Sequence, residues 1–202
     1  LYRLAAASST FINLDMEEYR DLDLTIDVFT RILDRGEFLG YRAGIVLQAY
    51  LPDALGRLNG LTEGAQARRA RGGAPIKVRI VKGANLSMER VDATMHGWEL
   101  TVQADKADTD ANYIACLDAA LTPERVDAVN IGIAGMNLFT MAYGYELVRE
   151  RGIASGVDYE MLAGMATPQS HAVRDTVGPL LYYVPVVRPE EYDVAVAYLV
   201  RR

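Results

Sequence analysis

The chain has 202 residues, half of them apolar and about a quarter charged, enough for one sizeable core of ordinary soluble composition. A formal charge of −6 excludes a general nucleic-acid binder, which carries a basic excess. No apolar run is long enough to span a bilayer, and the lone Cys116 excludes an internal disulfide and fits a reducing, cytoplasmic setting.

Leu1 to Ala7 reads as the tail of a helix, too short and too weakly charged for a secretory signal. A starting Met is lacking, so a preceding segment is expected. Phe11 to Asp15 predicts a strand ending in a carboxylate. A helix is expected from about Glu18, with Leu22, Ile26, Phe29 and Leu33 on one face and Gly36 and Gly40 near its end. Gly44 to Tyr50 is a nearly all-apolar strand, as a strand covered on both faces should be. Pro52 is placed to open the next helix, in which Arg68, Arg69 and Arg71 read as a solvated face.

Lys77 to Asn85 is a β-branched strand running into a turn, with Arg79 inside it and Lys82 at its exit. Cations there imply an anion nearby, because a buried charge is costly unless paired. The simpler reading is that Arg79 pairs with a neighbouring carboxylate and Lys82 marks the strand exit. Ser87 is a candidate N-cap for a helix to His96. Residues 101–108 are ambiguous, with room for a short strand, and Thr109 or Asp110 is expected to cap the helix carrying Tyr113, Cys116, Leu117 and Leu121. Val126 to Ile133 predicts another strand, followed by Gly135-Met136-Asn137 and a helix through Phe139, Tyr143 and Leu147. Tyr159 to Leu162 is a short strand, Pro168 starts a helix, Leu181 to Val186 is a strand, and a last helix runs from about Pro189 to Arg202.

Alternating strands and helices without a linker predict an α/β fold with a parallel sheet, as one unit over 1–202. No G-x-G-x-x-G follows a strand, so the dinucleotide fingerprint of an open doubly wound sheet is absent. A (β/α)8 barrel has positive support. Asp15, Gln48, Lys82, Asn137, Glu160 and Tyr183 all lie at or just past strand ends, where such barrels carry their sites. About six strand–helix units are found where a closed barrel needs eight, so the barrel is expected to be incomplete at its N-terminal side. The two histidines, His96 and His171, lack zinc-ligand spacing, and no metal is expected.

Four segments carry a resemblance: Phe11-Ile12-Asn13-Leu14-Asp15-Met16-Glu17-Glu18, Gly44 to Tyr50, Val78-Arg79-Ile80-Val81-Lys82-Gly83-Ala84, and Tyr198-Leu199-Val200-Arg201-Arg202. In this order and spacing they resemble the flavin-dependent proline dehydrogenase barrel, as found in bifunctional proline utilization A proteins. The resemblance covers essentially the whole chain. It implies FAD as cofactor, L-proline as substrate, Δ1-pyrroline-5-carboxylate as product and a membrane quinone as electron acceptor. A peripheral membrane contact and a fused aldehyde dehydrogenase domain are implied with it.

By the same resemblance Val46, Gln48, Arg79, Lys82, Gly83, Ala84 and Asn85 line the flavin, and Asp15 lies beside flavin and substrate. Lys106 and Thr109 match a segment holding the cofactor's far end. Gly135, Met136 and Asn137 match a loop around its adenosine half, and Glu160 a further cofactor-lining strand. Tyr183 shapes the proline pocket. Arg201 and Arg202 match a pair that clamps the substrate carboxylate; without the family they read as a basic helix end. Asn85 and Met136 depart from many relatives, which have an aromatic residue and a histidine there. Two other functions stay open on the residues: a lyase using Lys82 as a Schiff-base amine, and a non-catalytic barrel fragment.

Overall fold

The structure, a computed structural model, describes residues 1–201, with only the helical backbone described over 198–201. Six parallel strands form one sheet in sequence order: β1 (Ile12–Leu14), β2 (Ala43–Gln48), β3 (Ile76–Val81), β4 (Val129–Ala134), β5 (Val157–Leu162) and β6 (Leu180–Tyr183). Helix α1 (Tyr2–Ala7) precedes β1, α2 (Leu22–Leu33) and α3 (Ala54–Ala70) follow β1 and β2, and α4 (Leu86–His96), α5 (Lys106–Ala120) and α6 (Pro123–Ala128) all lie between β3 and β4. Helices α7 (Leu138–Glu150), α8 (Thr167–Val177) and α9 (Tyr192–Arg201) follow β4, β5 and β6.

The sheet is strongly curled. Six flat strands would hold the outer two about 24 Å apart. Instead Tyr183, at the end of β6, places its hydroxyl 3.5 Å from an Asp15 carboxylate oxygen just past β1. This is a half-barrel with its helices outside, the architecture the alternation predicts.

The period of two sorts residues between the two faces. Ile45 and Leu47, Val78 and Ile80, Ile131 and Ile133, and Tyr159 and Met161 are buried in the apolar core. Burying each such side chain contributes about 1.5–3 kcal/mol. Packing of α7 on the sheet is close: a Cβ on Gly144 would lie 2.8 Å from the Ile133 side chain. Cys116 is fully buried in this core, where burial pushes its thiol up to about 11.

Several local expectations are corrected. The segment predicted as one strand from Val126 splits into α6 and β4, because Thr122 caps Arg125 and Pro123 opens a helical turn. Residues 101–105 form no strand, and α5 starts earlier than predicted because Asp105, not Thr109 or Asp110, is its N-cap and accepts from the Asp108 amide. Helix α2 begins at Leu22, behind a single 3-10 turn over Tyr19–Asp21. Asn85 rather than Ser87 occupies the N-cap position of α4. Strand β6 ends at Tyr183, short of Pro185, which has no N–H for a ladder.

Arg68 is the largest correction. Its neighbours Arg69 and Arg71 form surface pairs with Asp127 and Asp34, as a solvated face should. Arg68 itself is 2% exposed. It donates to the carbonyls of Leu33, Phe38, Leu39, Tyr41 and Ala74. It thereby satisfies the C-terminal end of α2 and the turn that leads into β2, groups with no partner in their own helix.

Candidate active site

The face of the sheet turned away from the helices is polar. Parallel register aligns Asn13 with Gly44, Gly44 with Lys77 and Lys77 with Asn130, and one step on Val46 with Arg79, Arg79 with Gly132 and Gly132 with Asp158. Lys77 and Arg79 share a face because they are two residues apart, and so do Asp158 and Glu160. The pairs lie on β3 and β5, with β4 between them. They meet because β4 offers Gly132 there: a Cβ on it would sit 2.2 Å from a Glu160 oxygen and 3.2 Å from the Lys77 chain.

Glu160 is 1% exposed, and its two oxygens go to different cations. Oε2 accepts from Arg79 Nε at 2.6 Å, while Oε1 lies 2.7 Å from Lys77 Nζ as an ion pair without hydrogen-bond alignment. Lys77 also donates to Asp158 at 2.6 Å. Arg79 Nη1 stands 4.0 Å from Asp15, and the Tyr183 ring lies 5.4 Å from the guanidinium carbon. Asp15, Arg79, Glu160 and Tyr183 thus converge from four strands at the C-terminal mouth. The anion expected beside Arg79 includes a carboxylate of the chain itself, Glu160.

Lys82 donates to Asp110 at 2.6 Å, and Lys106 donates to the other oxygen of the same carboxylate. Burial works against the Asp110 charge, but the hydrogen bonds from Lys106 and Lys82 outweigh it and hold the carboxyl below its ordinary range. Gly83 has φ +111°, and a Cβ there would meet the Tyr50 ring at 2.2 Å, so this turn requires glycine.

The segment after β1 is fastened over the mouth by neighbours. Gln48 donates to the Met16 carbonyl at 2.6 Å, and Asn85 donates to the Glu17 carbonyl and carboxylate at 2.7 and 2.8 Å. Glu89 accepts from the Tyr19 amide, and the Tyr19 hydroxyl donates to Asp53. Gln48 Oε1 is buried and has no partner among the described residues.

The remaining predicted residues are more dispersed. Val46 is buried beside Arg79. Ala84 follows Gly83 in the same turn. The Thr109 hydroxyl donates to Asp105, within its own helix. Asn137 caps α7, accepting from Phe139 and Thr140, while Met136 packs on the core and Gly135 N–H donates to the Glu160 carbonyl. Arg202 and the Arg201 side chain lie outside the described residues. Sequence reasoning gave Lys77, Asp158 and Asp110 no place in the site, although opposite charges at i, i+2 on two strands were a usable signal for the first two.

The proline dehydrogenase family profile matches residues 1–202. The solved structure of proline utilization A from Corynebacterium freiburgense is 54% identical, with a TM-score of 0.93 over 99% of this chain and 21% of that one. That of Bdellovibrio bacteriovorus proline utilization A, inactivated by N-propargylglycine, is 36% identical, with a TM-score of 0.90 over 100% of this chain and 20% of that one. The bifunctional protein PutA of Escherichia coli K12 is 29% identical over 199 residues, 95% of this chain and 14% of that protein. The chain therefore spans about a fifth or less of these relatives.

Proposed function

The chain belongs to the proline dehydrogenase family, and from that premise we propose that its barrel, residues 1–202, oxidises L-proline to Δ1-pyrroline-5-carboxylate with FAD as the hydride acceptor. The observation that carries this reading is the convergence of Asp15, Arg79, Glu160 and Tyr183 on one mouth, beside Gln48 and Lys82. The residues fit a flavin. Gln48 Oε1 is a buried acceptor in need of a donor, and an oxidised isoalloxazine ring offers one N–H. FAD supplies the two-electron acceptor when bound.

This chain's residues do the rest. Arg79 places a fixed cation at the mouth, which favours negative charge arriving there. Lys82 and Lys106 offer cations to the phosphate-bearing half of the cofactor, and Gly83 and Ala84 keep the backbone close. Val46, Asn85, Gly135, Met136, Asn137, Thr109 and Glu160 complete the cofactor-binding assignment. Tyr183 and Asp15 wall the substrate side and exclude water. Arg201 and Arg202 are assigned to the substrate carboxylate, which a planar guanidinium binds at two points. Oxidation of a ring amine next to a carboxylate is the first step of proline breakdown. Electrons then pass to a quinone at a membrane surface, from a cytoplasmic protein joined in its longer form to an aldehyde dehydrogenase. Among the described residues no helix is long and apolar enough to cross a membrane, which fits a peripheral contact.

The Schiff-base alternative is disfavoured. Such a lysine must attack as a neutral amine in a desolvated pocket, whereas Lys82 is in an ion pair with Asp110. The reading is tested by the visible spectrum. Purified protein should carry flavin that bleaches on anaerobic addition of L-proline, and N-propargylglycine should inactivate it. A flavin-loaded protein that L-proline leaves oxidised would defeat the proposal.

A further inference from the structure

Lys77 lies deep on the inner face, 6% exposed, and the mechanism above does not use it. A guanidinium can grip a carboxylate with two parallel N–H bonds, and this fork is its preferred geometry. Arg79 and Glu160 do not adopt it: Arg79 Nε reaches Oε2 alone. The other oxygen, Oε1, is taken by Lys77 at 2.7 Å. Asp158 anchors the same ammonium at 2.6 Å, so Lys77 cannot swing away without leaving two carboxylates. Gly132 leaves the gap through which Lys77 and Glu160 meet across β4.

We propose that Lys77 is a positioning residue for Arg79: by occupying one oxygen of Glu160 it restricts Glu160 to a single-point hold on Nε and leaves the outer guanidinium nitrogens at the mouth. The proposal rests on the flavin reading above for its consequence, but not for its geometry. Among the described residues, the charged and titratable groups around Glu160 are Lys77 and Arg79 from β3, Asp158 from β5, Asp15 beyond β1, Tyr183 from β6 and Tyr113 from α5. Of these, Lys77 and Arg79 alone are cations. Without Lys77, Glu160 is free to turn both oxygens to Arg79, drawing the guanidinium inward and cancelling its charge at the mouth.

The test compares the full chain with Lys77→Met, Glu160→Gln and the double variant, because a Gln amide has one acceptor oxygen and cannot form the two-point fork. In the flavin-loaded protein, Lys77→Met should shift the flavin midpoint potential to more negative values. The double variant should recover more than half of that shift. A role confined to folding would lower the melting temperature of Lys77→Met, by about 6 °C or more, and leave the potential where it was; that result overturns the proposal. Crystal structures of the flavin-free forms give an answer independent of the flavin reading. Two-point contact between Glu160 and Arg79 in Lys77→Met, against one-point contact in the unaltered protein, is the expected outcome. An unchanged one-point contact would refute the positioning role even if proline oxidation held, and the reverse pair of results would sink the flavin reading alone.

Discussion

Arg68 and Arg79 are the same side chain, one buried and one partly buried, each beside acceptors, yet they serve opposite ends. Arg68 donates to five carbonyls, and among the described residues no carboxylate hydrogen-bonds to it. Burial in that setting pulls its guanidinium below the ordinary arginine value. Nε, Nη1 and Nη2 of this guanidinium all donate to the surrounding backbone, so the turn uses each of its nitrogens on structure. Arg79 spends Nε on Glu160 and keeps its remaining donors near Asp15 and Tyr183. A cation whose every nitrogen is committed to backbone carbonyls is a staple. A cation with donors in reserve can serve a reaction. Arg68 is the more deeply buried of the two, and the partners mark the difference in role.

That contrast can be broken in four ways. Arg68→Met should have the largest effect. It strands several buried carbonyls at once and should cost about 3 kcal/mol or more of stability, read as a fall in the urea midpoint at unchanged slope. Flavin reduction per folded molecule should hold. Arg79→Met should do the reverse, because Glu160 keeps Lys77 as a partner. Stability should fall by about 1.5–3 kcal/mol, less than for Arg68→Met, while kcat/KM for L-proline falls roughly 100-fold or more. If both variants lose stability and activity together, the distinction is wrong.

Asp110→Asn asks whether the paired lysines at the mouth behave as staples. The folded-state carboxyl lies below its ordinary value of 3.8. Its contribution is therefore fully present above about pH 5 and is lost as pH falls through the lowered folded value. The stability difference between the unaltered protein and the variant should be flat above about pH 5 and shrink below it, as urea titrations across that range would reveal. Tyr183→Phe should matter least. It keeps the ring over Arg79 and removes a hydroxyl whose contact to Asp15 is a long 3.5 Å, so KM for L-proline should move about two- to threefold.

The strands were legible because each is an apolar or alternating run between turn signals, and the polar residues at their ends pointed to the mouth. Arg68 was misread because its basic neighbours suggested solvent. Its spacing held the correction: Leu58, Leu61, Ala65 and Arg68 recur at helical intervals and all four are buried. The pairing of Lys77 with Glu160 was out of reach for another reason. It crosses an intervening strand, and no local pattern on β3 or β5 states that β4 will lie between them with a glycine at the crossing. Asp105 and Thr122 were ordinary caps, overlooked because the apolar periodicity of their segments was weak.

The 3.5 Å approach of Tyr183 to Asp15 joins residues 168 positions apart. Every parallel pairing from β1 to β6 must be in register before those two groups can meet. Parallel pairings are intrinsically slow to form, since each must close a long crossover before it is rewarded. The mouth is therefore expected to form late in folding and to part early when the sheet uncurls. Amide exchange should find β3 and β4 slowest, the ends of β1 and β6 fastest, and a ligand seated between them should slow exchange at both outer strands together.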